Sequence, residues 1–397
     1  MDEVQMVRDR YPEPAPPTAQ EIAQAKALLN EPPRRSLPRL RWGLGGVIAA
    51  GTAAIVAITL VGGNTPGGGN TSAPPGPVTL DGRGAILAAA EKAEQQPTGS
   101  YWYMDQIDGQ SYIMRPKTGT YAITGADAET FDWWGAKSGM GEGHYGRDLP
   151  SHPLTARDEA LWRKAGSPSS FRVWSGDHYY TYTAKAQKWQ MDGPERGTNP
   201  RGGGGKLLGG RSVEDLQNLP TDPAKLAEMF LSDKAIGGKS PAGRKAIGMS
   251  PAGSPAGKPI PPSVKITMVG GLAKDPVSPM VRAGLMRALA TQPGIHAIGR
   301  DTDPLGRRGI ALASDDRTVT VTGEYGGPKA EQGTYRSRTV IIFDERTGAM
   351  LSEQEELTKP GGPYAEMKPG FVINYQAVRS AKWTDTKPKP SAELPFG

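Results

Sequence analysis

The residues able to do chemistry are few and scattered. The chain has four histidines, His144, His152, His178 and His296, and no two stand at a metal-ligand spacing. Asp177-His178 is an acid beside an imidazole, but it falls at the tip of a hairpin pattern, where aspartate is a turn former. Gly237–Ser240 (GGKS) ends like a phosphate-binding loop, yet position 233, where that pattern needs glycine, is Asp233. Gly202–Leu207 (GGGGKL) has no Ser or Thr after its lysine. Neither G-x-S-x-G nor S-x-x-K occurs, so a serine hydrolase lacks its usual signatures. Asp315-Asp316 and Glu355-Glu356 read as solvated turns or edge-strand charges. The expectation is a non-enzyme with no catalytic residue, cofactor or metal site.

Aromatic residues are concentrated instead. Of 27 Phe, Trp and Tyr, 16 lie between Tyr101 and Trp189. At alternating spacing they would line one face of an antiparallel sheet. Tyr101, Tyr103, Trp174, Tyr180, Tyr182 and Trp189 are the candidate ligand face.

The elements that would position this face begin near Thr79. Asp81–Glu94 has helical spacing at Ile86, Leu87, Ala90 and Ala93. Tyr101–Ile107 and Ser111–Met114 flank Asp108-Gly109, which predicts a two-residue hairpin. Thr120–Thr124 continues the sheet, and Gly135–Gly146 reads as a Gly-rich loop. Pro153–Ala165 is a short helix capped by Thr155 and closed by Gly166. Phe171–Trp174, His178–Thr183 and Lys188–Met191 form a meander, and Arg196–Gly210 is loop. Thr221-Asp222-Pro223 starts a helix to about Leu231. Residues 233–262 repeat KAIGGKSPAG as KAIGMSPAG, a composition too rich in Gly, Pro and Ser to pack a core, and read as a disordered insertion. Ser278-Pro279 starts another helix. Ile310–Ala313, Thr318–Thr322 and Thr339–Phe343 are strands, Asp344–Gly348 a hairpin turn, and Val372–Trp383 the closing strand. The fold class expected for residues 79–390 is α+β: a curved antiparallel β-sheet, half-barrel-like, with helices packed on one side.

Upstream lies an apolar run. Trp42–Val61 holds no charged residue and is long enough, at about 1.5 Å per residue, to cross the ~30 Å hydrocarbon core. Arg34, Arg35, Arg39 and Arg41 precede it, and the linker 62–78 follows with no charge through Pro77. The positive-inside rule then puts the N-terminus in the cytoplasm and the large domain outside. A cleaved signal peptide or a buried helix is the competing reading of the run. In the cytoplasmic segment 1–41, Thr18-Ala-Gln-Glu21 is a capping box. Behind it Ile22, Ala25, Leu28 and Leu29 form an apolar stripe, a partner-binding surface for a regulator or a lipid surface.

Charge and composition narrow the classes. The chain carries a formal +6, but five basic residues and a single acid lie in the insertion, leaving +2 elsewhere. This argues against a nucleic-acid partner. With no cysteine, the domain must hold itself by its core. Gly 53, Pro 37 and a mean hydropathy of −0.50 fit linkers around a β-rich core.

Val7–Leu29, the anchor, Ile86–Trp102, Leu219–Leu231, Ser278–Leu312 and Ile341–Leu351 together resemble a family of actinobacterial single-pass membrane proteins of unknown function, often encoded beside extracytoplasmic-function sigma factors. The resemblance implies a regulatory link to a sigma factor and supplies no catalytic residues. The layout is also similar to the half-barrels of lipoprotein carriers and sigma-regulator sensors, a likeness of architecture. Two functions follow as expectations. One is a membrane-anchored extracytoplasmic sensor acting on a sigma factor through its cytoplasmic helix. The other is an envelope module binding a lipid, lipoprotein or cell-wall fragment, with the lipid bilayer contacted only by its anchor.

Overall fold

The structure is a computed structural model of the 397-residue chain, and describes residues 53–54, 82–176, 178–191, 198–199, 201–205, 207, 210–233, 235, 260–324 and 326–396. Ile22, Ala25, Leu28 and Leu29, most of Trp42–Val61, the linker and most of the insertion lie outside the described residues. Of the apolar run, Ala53–Ala54 is described as a two-residue strand, β1. Among the described residues no helix is long and apolar enough to cross a membrane.

The fold is α+β with a large antiparallel sheet. Its longest strands are β2 (Tyr101–Met114), β3 (Tyr121–Gly135), β12 (Gly333–Phe343), β13 (Met350–Lys359) and β14 (Phe371–Thr384). The shorter ones are β4 (Glu142–Asp148), β7 (Gln190–Met191), β8 (Thr198–Asn199), β9 (Ile295–Thr302), β10 (Arg308–Ser314) and β11 (Arg317–Val321). The order is β7-β4-β3-β2-β14-β13-β12-β10-β9, with β1 on β14, β8 on β4 and β11 on β12. The last strand of the chain is therefore central: β14 joins β2 to β13. A separate hairpin pairs β5 (Ser170–Trp174) with β6 (Tyr179–Thr183).

The expected meander does not close, since Gln190–Met191 pairs with β4 and not with β6, and within the expected loop Arg196–Gly210 the pair Thr198–Asn199 is strand β8 on β4. Three other expectations fail here for physical reasons. Asp108-Gly109 is no turn; both residues lie inside the continuous strand β2, opposite Gln376 and Tyr375. Glycine is needed there because a Cβ at position 109 would stand 2.1 Å from the Tyr375 ring. The Gly-rich stretch 135–146 is only partly loop, since Glu142 onward pairs with β3 as strand β4. Glu355 and Glu356 are not solvated edge charges but sit buried in the middle of the sheet. Glu355 accepts from Arg317, Ser337 and Asn374, while Glu356 accepts from Arg338 and Gln354.

Helices cover one face. α1 (Gly82–Glu94), α4 (Pro223–Phe230), α5 (Pro262–Lys274) and α6 (Pro279–Ala290) pack on Ile310, Leu312, Ile341, Phe343, Met350 and Val378. α2 (Ala156–Lys164) and α3 (Val213–Gln217) are shorter. The caps follow from sequence: Thr155, Ser212, Asp222 and Ser278 each accept a backbone N–H of the first turn. Beneath α5 runs a polar seam. Lys274 donates to Gln376 at 2.5 Å and Thr267 to Glu353 at 2.5 Å, and burial pushes the Asp108 and Glu353 carboxyls up against the pull of Lys274.

The opposite face is covered by the chain's last residues. Trp189 donates its indole N–H to Ser391 O at 2.7 Å. Arg147 donates to Ala392 O and Glu393 O, and Arg379 to Glu393 O. The Phe396 ring packs against the cluster of Ile107, Leu149, Val372, Tyr375 and Ala377. Under this strap the fully buried Glu129 carboxylate is gripped from both sides, by Arg147 at 2.5 Å and Arg379 at 2.9 Å. Asp105 is buried beside it, and its carboxyl is pushed up by burial and by the Glu129 charge.

Candidate ligand-binding site

A cleft of about 430 Å³ opens where the β5–β6 hairpin stands over the end of β2 and faces β11. That volume lies within the usual range for small-molecule sites. The hairpin's strand alternation sorts its residues. Phe171 and Val173 point down into a core with Tyr112, Tyr121 and Ile123. Trp174 stands directly opposite Tyr179 across the hairpin, and Arg172 lies two residues before it on the same face. The Trp174 and Tyr179 rings meet edge to face with centroids 5.1 Å apart, and the Arg172 guanidinium lies 3.7 Å over the Tyr179 ring.

Tyr112 and Tyr364 contribute from below, both buried. Tyr112 donates its hydroxyl to Ser175 Oγ at 3.0 Å and stacks on Tyr182. Burial pushes the phenols of Tyr112, Tyr182 and Tyr364 up, so they remain neutral hydrogen-bonding groups. The opposite wall is built by Arg115. It donates to Glu331 at 2.8 Å, to both oxygens of Glu366, and to Pro363 O. This clamp ties the 3-10 turns Lys329–Glu331 and Gly362–Tyr364 to the end of β2. Burial raises the Glu331 carboxyl and Arg115 opposes the rise. Thr320, Thr322 and Glu324 complete the rim.

Of the six candidate aromatics, Trp174 alone lines the cleft. Tyr182 and Tyr180 stack on each other on the other side of the same hairpin. Tyr101, Tyr103 and Trp189 belong to the strap-covered face. There Tyr101 meets Trp133, Tyr103 stacks on Phe131, and Trp189 lies under Arg147. The structure divides these residues between two places. Sequence reading missed Tyr179, because a strand starting at His178 puts His178 opposite Trp174, whereas the strand starts one residue later and pairs Trp174 with Tyr179. It also missed Arg115, Arg172 and Glu331, because they meet only through long-range packing.

The histidines stay apart. His144 pairs with Asp132, His152 with Thr124 and Pro150 O, and His296 with Asp315, while the His178 ring lies on Tyr180. Among the described residues no three His, Cys, Asp or Glu side chains are grouped to hold a metal ion. A second, shallow hollow on β9, β10 and β12 is lined by Arg336 and Arg338, which are engaged by Asp316 and Glu356.

No protein-family model, curated protein or solved structure matches the chain. The family resemblance therefore rests on the quoted motifs alone.

Proposed function

We propose that the α+β domain is an extracytoplasmic binding module, half-barrel-like in layout, that takes a small envelope-derived ligand in the cleft under the β5–β6 hairpin. The observation that carries this reading is the cleft itself. It presents Trp174 and Tyr179 as open aromatic surface above buried tyrosines, a lining suited to the apolar or ring portion of a lipid or cell-wall fragment. Trp42–Val61 would anchor the module in the membrane, with residues 1–41 in the cytoplasm. In the sensor form of the reading, occupancy of the cleft is passed to a sigma factor or another regulator docked on Ile22, Ala25, Leu28 and Leu29. The support for that extension is the capped apolar stripe in the sequence and the family resemblance.

The test is native mass spectrometry of the full chain purified in detergent from the producing cell's membranes. Wild type should carry a co-purified small molecule. A Trp174→Ala/Tyr179→Ala variant with unchanged melting temperature should not. Identical spectra for the two proteins would overturn the assignment of the cleft.

A further inference from the structure

We infer that the ligand of this cleft is a ring-bearing acid, a carboxylate or phosphate attached to a flat or ring-shaped body. The inference rests on the reading of the cleft as the binding site and adds the chemistry that site selects.

Arg172 carries the argument. Both arginines of the lining are cations, but Arg115 is spent on Glu331, Glu366 and the Pro363 carbonyl. The exposed Arg172 side chain makes no hydrogen bond or ion pair among the described residues and lies on the Tyr179 ring. Stacking on an aromatic face restricts the guanidinium while leaving its N–H fork at the ring's edge, the geometry that takes a carboxylate or phosphate with two parallel hydrogen bonds. Trp174, next to it on the same face, adds a second open donor. Its indole N–H has no acceptor among the described residues, and the backbone of Gly327 runs close by, where a Cβ would come within 3.0 Å of Nε1. The ring of Tyr179 lies 3.7 Å from the guanidinium carbon and that of Trp174 5.1 Å from Tyr179, so an acid on Arg172 has aromatic surface beside it.

The negative groups of the lining do not cancel this. Arg115 holds Glu331 at 2.8 Å and shares its charge with Glu366, which lies outside the lining, so this wall keeps some negative charge and Arg172 is the cation open to an acid. Glu324 is exposed at the rim, where solvent and salt screen it. It nevertheless makes a directional prediction, since removing its charge should help an acid and hinder a cationic or zwitterionic ligand.

The experiment is isothermal titration of the full chain in detergent micelles with naphthoate, naphthyl phosphate and the neutral naphthamide, which share one ring system. The two acids should bind more tightly than the amide by about tenfold, the scale of a charge-assisted hydrogen bond. Arg172→Gln should erase that difference, weakening the acids more than the amide. Glu324→Gln should tighten the acids a few-fold. Trp174→Ala should weaken all three. A preference for one of the two acids identifies the headgroup as carboxylate or phosphate. Equal binding of acids and amide, all weakened by Trp174→Ala, would overturn the acid and keep the cleft. Binding unaffected by either Arg172→Gln or Trp174→Ala would remove the cleft itself. No saturable binding of any probe would overturn both.

Discussion

A methyl group at position 109 would have to occupy the space of the Tyr375 ring, 2.1 Å from its nearest atom. Tyr375 cannot swing away cheaply, because it is buried and its hydroxyl donates to Asp127 at 3.2 Å. Gly109→Ala should therefore cost about 1–3 kcal/mol, the range for overpacking a core, and chemical denaturation would show it as a lower midpoint. Asp127 itself is predicted to make stability depend on pH. Burial pushes its carboxyl up to about 8, above the ordinary value of 3.8. Between those values the folded state holds a proton that the unfolded chain releases, so stability falls as pH rises from about 4 to about 8. Asp127→Asn, which keeps an acceptor and removes the titration, should be near neutral at pH 4 and stabilising by about 1–3 kcal/mol at pH 8. Melting temperatures of both proteins across that range check the sign. An unchanged slope in the variant would assign the pH dependence elsewhere.

Among the elements, the insertion between α4 and α5 makes the sharpest prediction. Its two ends are tied together, since Ile260 N donates to Asp233 Oδ1 at 2.8 Å. Deleting Lys234–Gly257 then shortens a loop whose ends already meet, and closure entropy changes only slowly with length. The melting temperature should shift little, and a loss above about 2 kcal/mol, the scale of a core defect, would place the segment in the core. Sequence signals recovered three of the elements that begin at a side-chain cap, at Thr155, Asp222 and Ser278, because a cap is a local contact, but missed the five-residue α3 behind the Ser212 cap, too short to show a periodicity. They missed α5, whose Gly270-Gly271 pair and β-branched Val264, Ile266, Thr267 and Val269 argue against a helix. Tertiary packing overrides that preference: Gly270 lets the helix approach Glu353, where a Cβ would stand 2.4 Å from the carboxylate. They missed β9 as well, which alternates polar and apolar residues only weakly at the sheet's end. Of the cleft, only Trp174 and the hairpin that carries it were legible, for the same reason. Trp174 and Tyr179 face each other across a short hairpin, whereas Arg115 meets Glu331 from 216 positions away.

At the scale of the whole molecule, the anchor reading and the described sheet meet at one point. Ala53–Ala54 pairs with Phe371 and Val372, an extended arrangement that an unbroken helix over Trp42–Val61 excludes. Reporter fusions decide between them. An enzyme active only outside the membrane should work when fused after Gly397 and fail when fused after Arg41, and equal activity at both sites would remove the anchor. The sheet's strand order bears on how such a chain could be made. β14 lies between β2 and β13, and Arg379 on β14 grips Glu129 on β3 from 250 positions away. A chain emerging N-terminus first would display the open edge of β2 throughout that interval, with Glu129 held by Arg147 alone. At ordinary synthesis rates of about 5–20 residues per second the wait lasts between about ten seconds and a minute. An unpaired strand edge invites pairing with any neighbouring chain, so the arrival of β14 both completes the sheet and closes its most exposed template for misassembly.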